Sequence, residues 1–269
     1  MSPKFKMAGL QMVSGPHPDE NLRTAGQLVA EAAAAGAQLA LLPEYFPIIS
    51  SNDADRFKVR EPFGSGPIQN WLAATAQRHA IWLVAGSIPL TASAADKVRN
   101  ASLVFDPSGN CVGRYDKIHL FSFDNGVEHY DEAAHIEAGN QPVALDMPFG
   151  RMALSICYDL RFPELYRQLT PVDLILMPAA FTETTGRDHW EILLRARAIE
   201  NQCYVLAVGQ GGEHPSGRQT HGNSMVIDPW GLVLDRRDKG TGIVLAEFDP
   251  ERIQQVRANL PALNNRRIE

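Results

Sequence analysis

Glu44, Lys117 and Cys157 supply a carboxylate, an ammonium and a thiol, the parts of a nucleophilic hydrolase. A thiol attacks an acyl carbon once its proton is removed. A carboxylate can take that proton, and a fixed cation can hold the charge that builds on the acyl oxygen. Cys157 ends the apolar run Met152 to Ile156 and precedes Tyr158, Asp159, Leu160, Arg161, Phe162 and Pro163, the last suited to the first turn of a helix. At such a strand-to-helix junction, exposed N–H groups and the helix dipole favour thiolate. Glu44 follows Pro43 at the carboxyl end of the buried run Leu39 to Leu42, where open α/β sheets place ligands. Burial there raises a carboxyl pKa toward the range of a general base. Alone, each residue has an ordinary reading: a core cysteine, a capping or surface-paired glutamate, a solvated strand-end lysine. Together they fit one cycle. Glu44 takes the Cys157 proton, the thiolate attacks an amide, and Lys117 with the Tyr158 N–H steadies the oxyanion. Ammonia leaves with a proton from Glu44, which then activates water against the thioester.

These residues sit on alternating helices and strands. Asp19 is placed to cap a helix from Asn21 to Ala35 that ends at Gly36, followed by a strand from Leu39 to Leu42. Ile68, Trp71, Leu72 and Thr75 mark a helix face before a strand from Trp82 to Ala85, and a helix from Trp190 to Asn201 precedes a strand from Tyr204 to Val208. Two predicted hairpins resemble each other: NASLVFDPSGNCVGRYDK, residues 100–117, and GNSMVIDPWGLVLDRRDK, residues 222–239. MAGLQM, residues 7–12, likewise echoes MALSIC, residues 152–157, and LALLPEYF, residues 39–46, echoes LILMPAAF, residues 174–181. The chain reads as an internal duplication. Two mixed sheets, each covered by helices on one face, bury their bare faces together as a four-layer α-β-β-α sandwich. Residues needed only by the fold recur in both copies, as Pro43 and Pro178 do. Glu44 instead faces Ala179 and Cys157 faces Met12, so one site per chain is predicted.

The 269 residues are 45% hydrophobic and 21% charged, which one domain over 1–269 accommodates. The formal charge of -6 is spread without a basic block, which argues against nucleic acid. Cys111, Cys157 and Cys203 are odd in number and far apart, which speaks against a disulfide framework and for a reducing compartment. The N-terminal residues carry no apolar signal core, and the stretch from Ala32 to Leu42 is interrupted by polar residues, so a cytoplasmic protein without a membrane segment is expected. No phosphate loop, serine nucleophile elbow or zinc helix is present in the sequence, and no metal or cofactor is predicted. His129 and Glu132 have a metal-pair spacing, but two ligands in a loop make a weak site, and both read as solvated polar side chains.

The blocks LLPEYF, GRYDKIHLF, SICYDLRFPELYR and HWEILLRARAIENQCYVLAVGQ resemble, in order and spacing, those of the carbon-nitrogen hydrolases of the nitrilase superfamily. The resemblance runs from about Lys4 to Arg267. It implies the four-layer sandwich, the triad Glu44, Lys117 and Cys157, and a homodimer or higher homo-oligomer. It also implies a second active-site glutamate, which falls on Glu132 with Glu128 and Glu137 close by. Cys157-Tyr158-Asp159 departs from the Cys-Trp-Glu of nitrilases, which favours the amidase branch, closest to the deaminated glutathione amidases and omega-amidases. The substrate implied is a small carboxylated amide. Arg161 is then the carboxylate clamp, with Tyr158, Phe181 and Thr185 in the pocket. Tyr45 and Phe46 are candidates for the opposite wall, with a place in the hydrophobic core the equal reading of Phe46. Leu120 to His135 is expected as a loop bordering the pocket.

Other readings are an omega-amidase acting on α-ketoglutaramate, an N-carbamoyl hydrolase and a silent binding homologue. A redox-sensing thiol protein is a further alternative, which requires Cys203 to approach Cys157 in the fold.

Overall fold

The computed structural model describes residues 4–268; residues 1–3, on which the expectation of no signal core partly rests, lie outside them. In chain order the elements begin with β1 (Phe5–Gln11), α1 (Pro18–Ala34), β2 (Ala37–Leu41), α2 (Pro67–His79), β3 (Trp82–Val84), β4 (Ile88–Thr91), β5 (Val98–Phe105) and β6 (Cys111–Asp116). Then come β7 (Ser122–Asp124), β8 (His129–Asp131), β9 (Ala144–Met147), β10 (Gly150–Leu154), α3 (Pro163–Leu169), β11 (Leu174–Ala179) and α4 (Glu183–Asn201). The chain closes with β12 (Tyr204–Gly209), β13 (Ser224–Ile227), β14 (Val233–Arg237), β15 (Gly242–Phe248) and α5 (Pro250–Asn259).

The predicted duplication is visible in the sheet order. One sheet runs β15-β1-β2-β3-β5 with β4 and β6 both paired to β5, and the other runs β14-β13-β12-β11-β10-β9. β1, β2 and β3 are parallel neighbours followed by the antiparallel pairs β3·β5 and β5·β6. β10, β11 and β12 repeat that pattern with β13 and β14. The antiparallel edge beside β10 is β9, which precedes it in the chain, whereas the one beside β1 is β15, from the far end of the chain.

Alternating side chains of the first sheet serve two cores, as the period of a strand requires. Ala8, Leu10, Ala40 and Leu42 pack under Leu28 and Val29 of α1 and Leu72 of α2. Met7, Leu39 and Leu41 turn the other way and share a core with Leu154, Leu174 and Leu206 of the second sheet. A Cβ added at Gly9 would lie 2.7 Å from Val208 Cγ2 and 2.8 Å from Val244 Cγ2, so the sheets meet closely at β1. α4 covers β12 and β13 on the outer side, with α3 against α4, which completes the four layers.

Several boundaries differ from the sequence reading. α1 starts at Pro18 with His17 as its N-cap residue; Asp19 lies inside the first turn, where with Glu20 it complements the helix N-terminus. α4 begins at Glu183, earlier than Trp190, because the Thr182 hydroxyl accepts from the Thr185 N–H and caps it there. The segment expected as a loop from Leu120 to His135 contains the hairpin β7·β8. Among the described residues no helix is long and apolar enough to cross a membrane.

Candidate active site

β2 ends at Leu41, and the chain carries Glu44 over the strand ends into the space between the two copies. There its carboxylate is surrounded by donors. Oε1 accepts from Asn100 Nδ2 of β5 and from Lys117 Nζ, each at 2.9 Å, and Oε2 accepts from the backbone N–H of Ala180 at 2.8 Å. Ala180 follows Ala179, the counterpart of Glu44 in the repeat. Gln210 Nε2 donates to the Glu44 carbonyl at 3.1 Å and fixes the backbone as well.

Lys117 follows β6 directly, held by its N–H on the Asn100 carbonyl at 2.9 Å. Its side chain is 1% exposed and also donates to Glu132 Oε2 at 2.7 Å. Glu132 in turn accepts from the Tyr45 hydroxyl at 2.6 Å and from the Phe121 N–H at 2.7 Å. Of the three neighbouring glutamates, Glu132 is the one that reaches Lys117; Glu128 bonds Thr184, and Glu137 bonds Arg99 and Ser93. Burial disfavours the ammonium, but Glu132 and Glu44 outweigh it and hold the Lys117 pKa well above its ordinary value. Burial likewise opposes the Glu132 carboxylate, yet Lys117 and the hydrogen bonds bring its pKa down.

Cys157 is buried, and the Glu44 carboxylate is near enough to act electrostatically on its thiol. Its backbone is left-handed, with φ of 52°, as is that of Tyr45 at 54°, conformations that non-glycine residues adopt mainly where surrounding contacts enforce them. One such contact is Asp159, fully buried, which accepts from the Ile156 N–H at 2.8 Å, the Tyr115 hydroxyl at 2.7 Å and the His119 N–H at 3.1 Å, with His119 Nδ1 a further 2.7 Å contact. The sequence reading expected a thiol poised as thiolate. The opposite holds, because burial and then the Glu44 charge push the Cys157 pKa well above the ordinary thiol value. The regular helix starts only at Pro163, and a short 3₁₀ turn intervenes.

A narrow cavity collects these groups: Glu44, Lys117, Glu132 and Cys157 line it together with Tyr45, Tyr158, Phe181 and Thr185. Of the two readings of Phe46 the core one holds, since it packs under α1 and α2. Arg161, expected as a clamp, does not line the cavity. Its guanidinium lies 5.3 Å from the Phe181 ring centroid and 5.8 Å from that of Tyr158, with His189 Nδ1 at 3.2 Å. The arginine on the wall is Arg218, which the sequence reading passed over. Asn100 and Asp159 were also missed as supports. The repeat held a signal for Asn100, which stands opposite Gly222.

Cys203 does not approach Cys157. Tyr204 pairs with Leu174, which pairs with Met152, so Cys203 lies at the start of these parallel strands and Cys157 beyond their far end. At ~3.3 Å per residue the separation is on the order of 15 Å along the strands, which removes the redox pair. Among the described residues no group of three His, Cys, Asp or Glu side chains is placed to hold a metal ion.

The arrangement can deprotonate a thiol, stabilise an anion and return a proton, and known proteins share its frame. The profile of the carbon-nitrogen hydrolase family matches residues 6–258. A deaminated glutathione amidase of Synechocystis sp. is 42% identical over 97% of this chain and 98% of its own. The Caenorhabditis elegans NitFhit protein superposes with a TM-score of 0.89 at 34% identity over 99% of this chain, which spans 66% of that protein. An amidase from Nesterenkonia sp. AN1, with acrylamide added to its active-site cysteine, superposes with a TM-score of 0.74 at 26% identity over 96% of this chain and 98% of that one. A match running nearly end to end, on the fold that the repeats predicted, makes this chain a member of the carbon-nitrogen hydrolase family.

Proposed function

We propose that the chain is an amidase that forms a thioester between Cys157 and the acyl half of a small carboxylated amide, with deaminated glutathione the first candidate. The observation that carries this is the shared cavity, in which Cys157 meets Glu44 and Lys117 meets both Glu44 and Glu132. A thiol held protonated needs a base at the moment of attack, and the Glu44 carboxylate faces the same cavity. An ammonium has three N–H donors. Two of those on Lys117 are committed to carboxylates, leaving one for the oxyanion beside the Tyr158 N–H. Glu44 then protonates the leaving amine and activates the water that cleaves the thioester. Glu132 keeps Lys117 charged and aimed.

Phe181 and Thr185 form the substrate wall in this reading, and Arg161 gathers an acidic group at the rim beside Phe181. The relative named a deaminated glutathione amidase supports that substrate. α-Ketoglutaramate, the omega-amidase substrate, is the alternative. We also take residues 1–269 as one catalytic domain, since one core is shared by both sheets. Three free cysteines favour a reducing, cytoplasmic setting. Ile192, Ile199, Trp230 and Leu232 are exposed on and beside α4, where Arg195 Nε bonds the Gly231 carbonyl, and they support a homodimer.

The deciding assay is product release from deaminated glutathione and α-ketoglutaramate by the wild type and by Cys157→Ala. Turnover by the wild type alone, with a thioester trapped at Cys157 by mass, is expected. Silence of the wild type across a panel of amides, nitriles and carbamoyl compounds would leave a binding protein instead.

A further inference from the structure

We propose that Arg218 binds a carboxylate of the substrate inside the cavity and thereby selects anionic amides over neutral ones. The inference rests on the amidase reading and adds to it a recognition residue. Arg218 lines the same cavity as Cys157 and Lys117, whereas Arg161 stands outside that lining.

The guanidinium is poorly satisfied by the protein. It carries five N–H donors. Yet among the described residues its Nε is buried without an acceptor, and the guanidinium's one hydrogen bond is a long 3.5 Å contact from Nη2 to the Ala180 carbonyl. Among the described residues it forms no ion pair. A part-buried cation left this way carries a desolvation penalty that a bound anion would offset. Its Cζ lies over the Tyr130 ring, 5.5 Å from the centroid, a cation–π contact that favours this placement of the fork.

Charge points the same way. Glu44 and Glu132 against Lys117 leave the reactive end of the cavity with an excess negative charge, which repels an acidic substrate. Arg218 restores neutrality on that wall, and a guanidinium suits a carboxylate by paired hydrogen bonds.

A structural role is the competing account. Ala180 accepts from Arg218 through its carbonyl and donates to Glu44 Oε2 through its N–H, so Arg218 could merely seat the base. The two accounts separate in kinetics. kcat and KM are measured for α-ketoglutaramate and for neutral butyramide with the wild type, Arg218→Ala and Arg218→Lys. Binding of a carboxylate requires KM for α-ketoglutaramate to rise about 30-fold or more in Arg218→Ala, with a loss about tenfold smaller on butyramide and partial recovery in Arg218→Lys. Equal loss of kcat on both amides, or no loss on either, overturns it.

A second arm does not need turnover. Glutarate should protect Cys157 from iodoacetamide, read by peptide mapping because Cys111 is exposed and reacts as well. Protection that weakens about tenfold or more in Arg218→Ala supports the anion site even if no amide is hydrolysed, in which case only the amidase reading fails. Amide turnover combined with protection that is unchanged by the substitution, or absent in the wild type, overturns the role of Arg218 alone.

Discussion

Lys117 and Lys239 occupy the same place in the two repeated hairpins and meet opposite environments. The Lys117 side chain is 1% exposed between Glu44 and Glu132, while that of Lys239 is 48% exposed and bonds Glu183 and the Thr220 carbonyl. The duplication supplied a lysine at the end of each hairpin, and only one copy was enclosed by carboxylates. Lys117→Met should therefore cost about 3 kcal/mol or more in transition-state stabilisation, read as a fall of at least about 100-fold in kcat/KM. It should also destabilise the fold by roughly 3–5 kcal/mol in denaturant melts, because two buried carboxylates lose their counterion. Lys239→Met should stay within about 1 kcal/mol of wild type.

The protonated state of Cys157 has a sign in stability. Its folded pKa lies above the unfolded value, so the native state retains a proton that the unfolded chain has released. The contribution is complete below the unfolded thiol pKa of about 8.5 and is lost as pH rises from there toward the folded value. Wild type should therefore lose stability relative to Cys157→Ala above about pH 8.5, and the gap should be flat below it. Removing the charge of its neighbour in Glu44→Gln should lower the thiol pKa in a thiolate absorbance titration, while turnover collapses. An unmoved titration would sever the contact between the two residues.

Asp159 is predicted to matter through position alone. It holds the Ile156 N–H before the nucleophile and the Tyr115 and His119 donors of the facing copy, so it ties the Cys157 turn to the hairpin that ends in Lys117. Asp159→Ala strands several buried donors, each costing about 1–3 kcal/mol. A melt lowered by several kcal/mol should accompany a fall in kcat larger than the change in KM. A stable variant with normal kcat would show that the turn is set elsewhere.

The architecture was legible because the duplication is written in local patterns: apolar strand runs, two matching hairpins and two Pro-terminated strands survive as sequence. Glu44 and Cys157 were legible because they break that symmetry, and Asn100 breaks it too, opposite Gly222. Arg218 was not, since its segment between β12 and β13 has no period and no counterpart that would single it out. Its importance comes from tertiary placement beside Ala180 and Tyr130. The thiolate expectation failed because a junction motif describes backbone dipoles and says nothing of burial. Here burial and a carboxylate neighbour outweigh the dipoles.

Tyr45 offers a test of how Glu132 is kept ionised. Its hydroxyl donates to Glu132 Oε1 at 2.6 Å, and the carboxylate, although buried, has its pKa pulled below the ordinary value by Lys117, the Phe121 N–H and this hydroxyl. A lowered folded pKa contributes stability that is present above the unfolded value of about 4.3 and lost as pH falls through the folded one. Tyr45→Phe removes one donor without opening a cavity, so the Glu132 pKa should rise and the stability deficit should be larger near neutrality than in acid. A hydrogen bond to a charged group contributes about 1.5–3 kcal/mol, which sets the expected deficit. Chemical denaturation across a pH series checks both size and sign. A deficit that grows as the pH falls would mean that Glu132 is held neutral, and Lys117 would then be anchored by Glu44 alone.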